Sequence, residues 1–404
     1  MEESTCLANP STPCNSWTPC LAATPSHSRE CLGTAIPAWR DGVDYSRIHC
    51  CLRCCLLIWV DRLGLRANYE HWTRRQVNFY VHQGAGGQRK RDAPPPRVMA
   101  MDTMLNARFA IARFAHYLAI EARDLEGLNT STPKAALRSP TYRVPRTHHG
   151  SAQRRANGSL IVLNGWEHPP SLLGRIAATL PAGPAALLYG DDDSWSGAQM
   201  EAFRSAVGEA RLVRHFAMNV RSSAVALPHV TQVPIGLNGF SIDLLPILTS
   251  PEGTLASRTA HRSPVLLCCC QRAWPQRTAA FAALRAAGHS HCNLTQRDTY
   301  PSLIRSYLRH RFVVSAHGHG KTDFREWEIL AAGAVPVVQR FPEHDALYEG
   351  VPIVRVSEWS EVTPRFLDEE WARLQAEARE GHIDWRKIYF PYWFGRFTAH
   401  MTPA

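Results

Sequence analysis

FVVSAHGHGKTDFREWEILAAGAVPVV, residues 312–338, reads as strand, glycine loop, helix, glycine turn and second strand. Phe312 to Ser315 is a short apolar run of β type, and His317-Gly318-His319-Gly320 breaks it with two glycines. Asp323 is placed to cap a helix through about Ala332, Gly333 to end it, and Val335 to Val338 to begin the next buried strand. Glycines let a backbone approach a ligand closely. A helix N-terminus offers free N–H groups and a positive dipole end, which suits phosphate. Lys321 and Arg325 add positive charge, and a guanidinium grips a diphosphate with two donors. Lys321, Arg325 and Glu328 are spaced by about one helical turn, so one shared face is expected. A carboxylate at Glu328 suits the two hydroxyls of a ribose. Gly318, Gly320, Lys321, Thr322, Arg325 and Glu328 are therefore the candidate nucleotide-binding residues.

Gly320-Lys321-Thr322 imitates the end of a phosphate-binding P-loop, but Ser315 stands where that pattern needs its first glycine. The next strand leads into Gln339-Arg340 and offers no Asp for magnesium. Both departures argue against a P-loop kinase or NTPase.

The 404 residues are enough for two domains and a sizeable core. The net charge of +10 favours acidic partners such as nucleotides or anionic glycans. Arginines are scattered in short groups, with no basic stripe interleaved with aromatics, which argues against nucleic acid as a partner. Eight of the twelve cysteines fall in the first 55 residues. Cys51-Leu-Arg-Cys54 has metal-type spacing but no second pair, so no metal site is expected. Cys268 to Cys270 end an apolar run and read as small core residues. Cys54 to Val60 is apolar but far too short to span a bilayer. No signal peptide is visible, whereas Asn129, Asn157 and Asn293 open glycosylation sequons.

Residues 1–100 mix Ser, Thr, Pro and Cys and end in GAGGQRKRDAPPP, the composition of a low-order extension. A helix is expected from Asp102 or Thr103 to about Arg123. From Leu160 onward strands and helices alternate. Strands are expected at 160–163, 185–189, 211–216, 230–235, 265–269, 312–315, 335–338 and 353–356. Helices are expected at 170–180, 197–207, 275–287, 299–309 and 364–379. This rhythm predicts an α/β fold with parallel sheets, split by the polar stretch 250–263. Two Rossmann-like domains facing a cleft follow: an N-terminal one over residues 101–255 and a C-terminal one over 256–404. Ligands in such sheets sit beyond the carboxyl ends of strands, where the loop 317–320 falls.

The stretch 312–338 resembles the signature of exostosin-like glycosyltransferases, R-x-x-E-x-L-x-x-G-x-x-P-V-V after a glycine loop. LYEGVPIVRVSEWSEVTP (347–364) is similar to that family's continuation. ALLYGDDDSW (186–195), Arg214, VPIGLNGF (233–240) and KIYFPYWFGRF (387–397) resemble its other elements in order. The likeness covers roughly residues 159–397 and extends to the ribitol xylosyltransferase group. It implies a GT-B architecture in which the C-terminal domain holds a nucleotide sugar, UDP-linked, as substrate. Arg325 would then neutralise the diphosphate, Glu328 would hold the ribose, and Asn238 would touch donor or acceptor. It also implies a glycan or glycoprotein acceptor and residence in the secretory pathway, in the Golgi, with the N-terminal region as the route to a membrane. Ala316-His317 stands where the family commonly shows Pro before the first loop glycine.

Sugar transfer needs a stabilised leaving diphosphate, a base for the acceptor hydroxyl, and exclusion of water. Lys321, Arg325 and a helix N-terminus meet the first need without a metal cofactor. Asp192, Asp193 and His317 are the candidate bases, the two aspartates following a strand end and the histidine having a near-neutral intrinsic pKa. The leading expectation is an inverting, metal-independent glycosyltransferase. The alternatives are a GT-A-like transferase with a metal on Asp191–Asp193, and a non-catalytic relative that binds glycan or nucleotide.

Overall fold

The computed structural model describes residues 117–119, 159–164, 185–190, 197–207, 212–237, 247, 262–268, 271, 273–294, 299–318, 320–389, 392, 393 and 396. The chain forms two compact units whose main segments are Asn106–Ile235 and Gly236–Pro391. Each combines helices with a wholly parallel sheet, as an α/β fold requires.

The first unit carries β1 (Tyr117–Ala119), β2 (Ser159–Asn164), β3 (Ala185–Gly190), β4 (Leu212–Ala217) and β5 (Val230–Gln232), which lie side by side in sequence order. Ile161 pairs with Tyr117 on one side and Leu187 on the other, and Leu187 pairs with His215. Helix α1 (Gly197–Val207) joins β3 to β4. It must begin at glycine: a Cβ on Gly197 would come within 2.6 Å of the Ser223 carbonyl oxygen. β1 falls inside the expected helix 102–123. Its neighbourhood, Phe114 to Ile120, is largely apolar, and pairing with β2 satisfies backbone groups that helix periodicity had assigned locally. The expected helix 170–180 lies outside the described residues.

The second unit contains α2 (Pro275–Ala286), α3 (Tyr300–Arg309), β6 (Phe312–Val314), α4 (Phe324–Ala331), β7 (Val335–Gln339), β8 (Val354–Val356) and α5 (Pro364–Glu380). β7 runs between β6 and β8 and is buried from Val335 to Val338 on both faces, so its sequence is continuously apolar. Val335 and Val337 share a core with Phe281 and Leu284 of α2 and with Leu367, Trp371 and Leu374 of α5. The helices are punctuated chemically. Thr299 and Thr363 accept the N–H groups of Ser302 and Phe366, and α2, α3 and α5 each carry Pro in the first turn. Gly333 takes φ +71° just after α4 and Gly381 φ +78° after α5, where a side chain would be strained. Arg262 is buried and donates to the carbonyls of Tyr307 and Ala332 at 3.3 and 2.8 Å, tying the C-terminal ends of α3 and α4 together.

Two details differ from expectation. Residues 265–268 of the expected strand 265–269 do not form a regular strand, and Cys269 lies outside the described residues; Ser263 and Leu267 make isolated parallel bridges to His310 and Val313. Pro264 has no N–H, and the N–H of Val265 turns to Ser263 Oγ at 3.2 Å. Cys268 is more than a small core residue. It is bonded to Cys292, 24 positions on, with Cα atoms 4.9 Å apart and both residues buried.

Candidate nucleotide site

The second unit presents its chemistry at the carboxyl end of β6. Ser315 and Ala316 continue the strand into the core and are almost fully buried, and the backbone N–H of Ser315 still donates to Val337 O at 2.9 Å. His317 follows, partly buried, then Gly318, which is buried. A Cβ on Gly318 would meet Arg277 Nη2 at 2.8 Å, so glycine is what lets that guanidinium lie against the loop backbone.

Arg277 is the residue that pattern reading missed. It stands in the first turn of α2, is buried, and donates from Nε to Ala316 O at 2.9 Å and from Nη2 to Asp323 at 2.6 Å. Burial pulls its pKa down, Asp323 opposes that, and nearby Arg325 lowers it further. One guanidinium thereby links the strand end, the glycine loop and the start of α4. A signal was available: Arg277, Ala280, Phe281 and Leu284 follow i, i+3, i+4, i+7 and all are buried, so the arginine sits on the inward stripe.

Asp323 caps α4 as expected. Its backbone N–H donates to Glu326 Oε1 at 3.1 Å, the return half of a capping box. Glu326 is buried and also accepts from the Tyr348 hydroxyl. Burial holds its carboxyl pKa well above the usual range. Arg325 and Glu328, one turn apart, both face α3. Arg325 Nη1 donates to Tyr307 Oη at 2.8 Å, and Tyr300 Oη donates to Glu328 Oε1 at 3.3 Å. Burial alone would lower the Arg325 pKa, but Tyr307, Asp323 and Glu328 hold it above its ordinary value.

Lys321 departs from expectation. α4 starts at Phe324, so Lys321 lies in the loop and shares no helix face with Arg325. Its ammonium donates to Glu343 and rests 5.1 Å from the centre of the Phe341 ring. It is about half exposed, so exchanging that pairing for a ligand would cost little. Gly320 is partly buried and Thr322 fully so. His317 packs edge-on to the same Phe341 ring at 5.1 Å. Burial, then the charges of Arg277 and Lys321, depress its pKa and keep the imidazole neutral.

Three buried polar atoms at this strand end have no hydrogen-bond partner among the described residues: Gln271 Oε1, Ser315 Oγ and His317 Nδ1. Gln271 spends its amide N–H on Val314 O at 2.8 Å, which fixes its side chain beside the end of β6. Unpartnered buried polar groups cost about 1–3 kcal/mol each, so native proteins keep few. Of the three only the Ser315 hydroxyl is a certain donor; Gln271 Oε1 can only accept, so what suits this strand end to an anion is the nearby arginines and the start of α4.

Of the expected residues, His317 and Lys321 lie against Phe341, Gly318 against Arg277, and Arg325 and Glu328 against α3, with Gly320 and Thr322 in the loop between. Asp192, Asp193 and Asn238 lie outside the described residues. Comparison with protein-family models finds no match, and comparison with curated proteins finds none. Among the described residues no helix is long and apolar enough to cross a membrane.

Proposed function

We propose that this chain is a glycosyltransferase of GT-B type, related to the exostosins, that moves a sugar from a UDP-linked donor to a hydroxyl of a glycan or glycoprotein. The observation that carries the reading is the glycine loop at the carboxyl end of a parallel strand, with the buried Arg277 guanidinium against its backbone and Arg325 in the first turn of the helix that follows. The start of α4 and the arginines would stabilise the leaving diphosphate, with Lys321 released from Glu343 to join them. Glu328, held by Tyr300, would accept the ribose hydroxyls. Inversion requires a base on the acceptor side. His317, Asp192 and Asp193 are the candidates for that task, and burial with the charges of Arg277 and Lys321 lowers the His317 pKa. The roles require no metal, and a secretory, Golgi setting fits both the substrate class and the disulfide.

Thermal shift of the full chain with UDP, GDP and ATP, each with manganese and with EDTA, tests this reading. Metal-independent stabilisation by UDP supports it. Stabilisation that strictly needs manganese would favour a metal site on Asp191–Asp193, and nucleotide binding without any sugar transfer would favour a non-catalytic binder.

A further inference from the structure

The segment 266–268 and the loop 289–293 are stitched together by more than the Cys268–Cys292 bond. His291 Nε2 contacts Leu266 O at 2.8 Å, the N–H of Asn293 donates to Cys268 O at 3.2 Å, and Arg285 Nη1 donates to Cys292 O at 3.2 Å. The N–H of Cys292 donates to His289 O at 2.9 Å, closing the loop on itself. None of these contacts needs the sulphur–sulphur bond, so breaking it leaves the two cysteines and the histidine as neighbours.

The two sulphurs and a ring nitrogen of His291 all lie within 4.8 Å of one another. Zinc holds sulphur at about 2.3 Å and nitrogen at about 2.0–2.1 Å in a tetrahedron. Ligand atoms around one zinc are therefore about 3.5–3.8 Å apart, a spacing the two sulphurs reach by moving apart once their bond is broken, with the histidine nitrogen already within 4.8 Å of both. A carbonyl only accepts, so His291 Nε2 carries the ring proton toward Leu266 O and Nδ1 keeps the lone pair. That is how metal-ligating histidines are commonly oriented: the second nitrogen is anchored on a backbone oxygen. Cys268 and Cys292 are buried while His291 is exposed, so the histidine marks the solvent side by which a cation enters and where a water completes the set.

We propose that Cys268, Cys292 and His291 form a redox-gated zinc site, closed to metal as the disulfide and open to it as the dithiol. A dithiol reductant breaks the S–S bond by exchange, leaves as its own cyclic disulfide, and generates two thiols. Zinc then displaces both thiol protons to solvent and is held by two thiolates and one imidazole.

The test measures zinc retained by the full chain against a chromophoric chelator, reduced and oxidised, for the native sequence, Cys292→Ser and His291→Ala. The N-terminal cysteines bind equally in all three, so differences between chains report this site. When reduced, the native chain should retain one more zinc than Cys292→Ser, and His291→Ala should weaken that zinc at least about tenfold. When oxidised, the difference should vanish. His291 is exposed, so its variant folds even if the cysteine variant does not, and cobalt in place of zinc should show a thiolate charge-transfer band that His291→Ala shifts. Equal retention by the reduced native and His291→Ala chains, with unchanged cobalt spectra, would overturn the proposal. So would a zinc that depends on His291 in the oxidised chain.

Discussion

Gly318 is where one methyl group has the clearest expected effect. A Cβ there reaches 2.8 Å from Arg277 Nη2. An arginine tip usually swings away from such a contact, but this one is held by Ala316 O and Asp323. Gly318→Ala should therefore sacrifice a charge-assisted hydrogen bond, about 1.5–3 kcal/mol, and weaken UDP binding about tenfold or more. Calorimetric titration decides it; unchanged affinity would remove Arg277 from the site. Arg325→Ala should weaken UDP similarly, while Asp193→Asn should spare UDP affinity and lower turnover by about 10²-fold or more if it is the base. The candidate residues of the glycine loop were legible because glycine, cap and cation stand in one short run. Arg277 was not, because its partners are 39 and 46 positions away. A shared helix face for Lys321 conflicts with the Asp323 cap that the same stretch offers: turn spacing counts only inside the helix, and the cap leaves Lys321 before its start.

Elements with strong local punctuation were the readable ones. α1, α2, α3, α4 and α5 lie within a residue or so of expectation where Thr, Asp, Pro or Gly marks an end, or where apolar periodicity is sustained. The wrong assignments are those decided by partners distant in sequence. β1 exists because β2 lies beside it, and residues 263–267 lose regular pairing because the four steps along the chain from Ser263 to Leu267 stand against only three from His310 to Val313. The Cys268–Cys292 bond was equally hidden, since nothing local says which cysteine is adjacent. Packing at this scale is testable in α2. Phe281 is fully buried in the core that the sheet and α5 share, and Phe281→Ala should cost about 3–5 kcal/mol in urea unfolding. Thr363→Ala, which removes only the α5 cap, should cost about 1 kcal/mol.

Across the whole molecule, buried histidines set an acid limit. His215 in the first unit is pushed down to about 3 by burial and by the charges of His229 and Arg204. His344 in the second is pushed down to about 4, chiefly by burial. Both are neutral when folded, whereas unfolded histidine takes a proton near pH 6.5. Between those values the unfolded chain binds more protons, so stability is full above about pH 6.5 and falls as the pH drops toward about 4. Urea midpoints measured from pH 7.5 to 4 should hold to about pH 6.5 and decline below it; a flat profile would contradict the neutral histidines. The disulfide bears on the molecule in another way, as a short circuit for tension. A chain pulled from its ends transmits force through Cys268 and Cys292, and the residues between them, α2 included, carry none. With 24 positions bypassed and the Cα atoms only 4.9 Å apart, the stretched chain stops about 80 Å short of its full reach. That hidden length, with Phe281 and Arg277 inside it, pays out only when the sulphurs part.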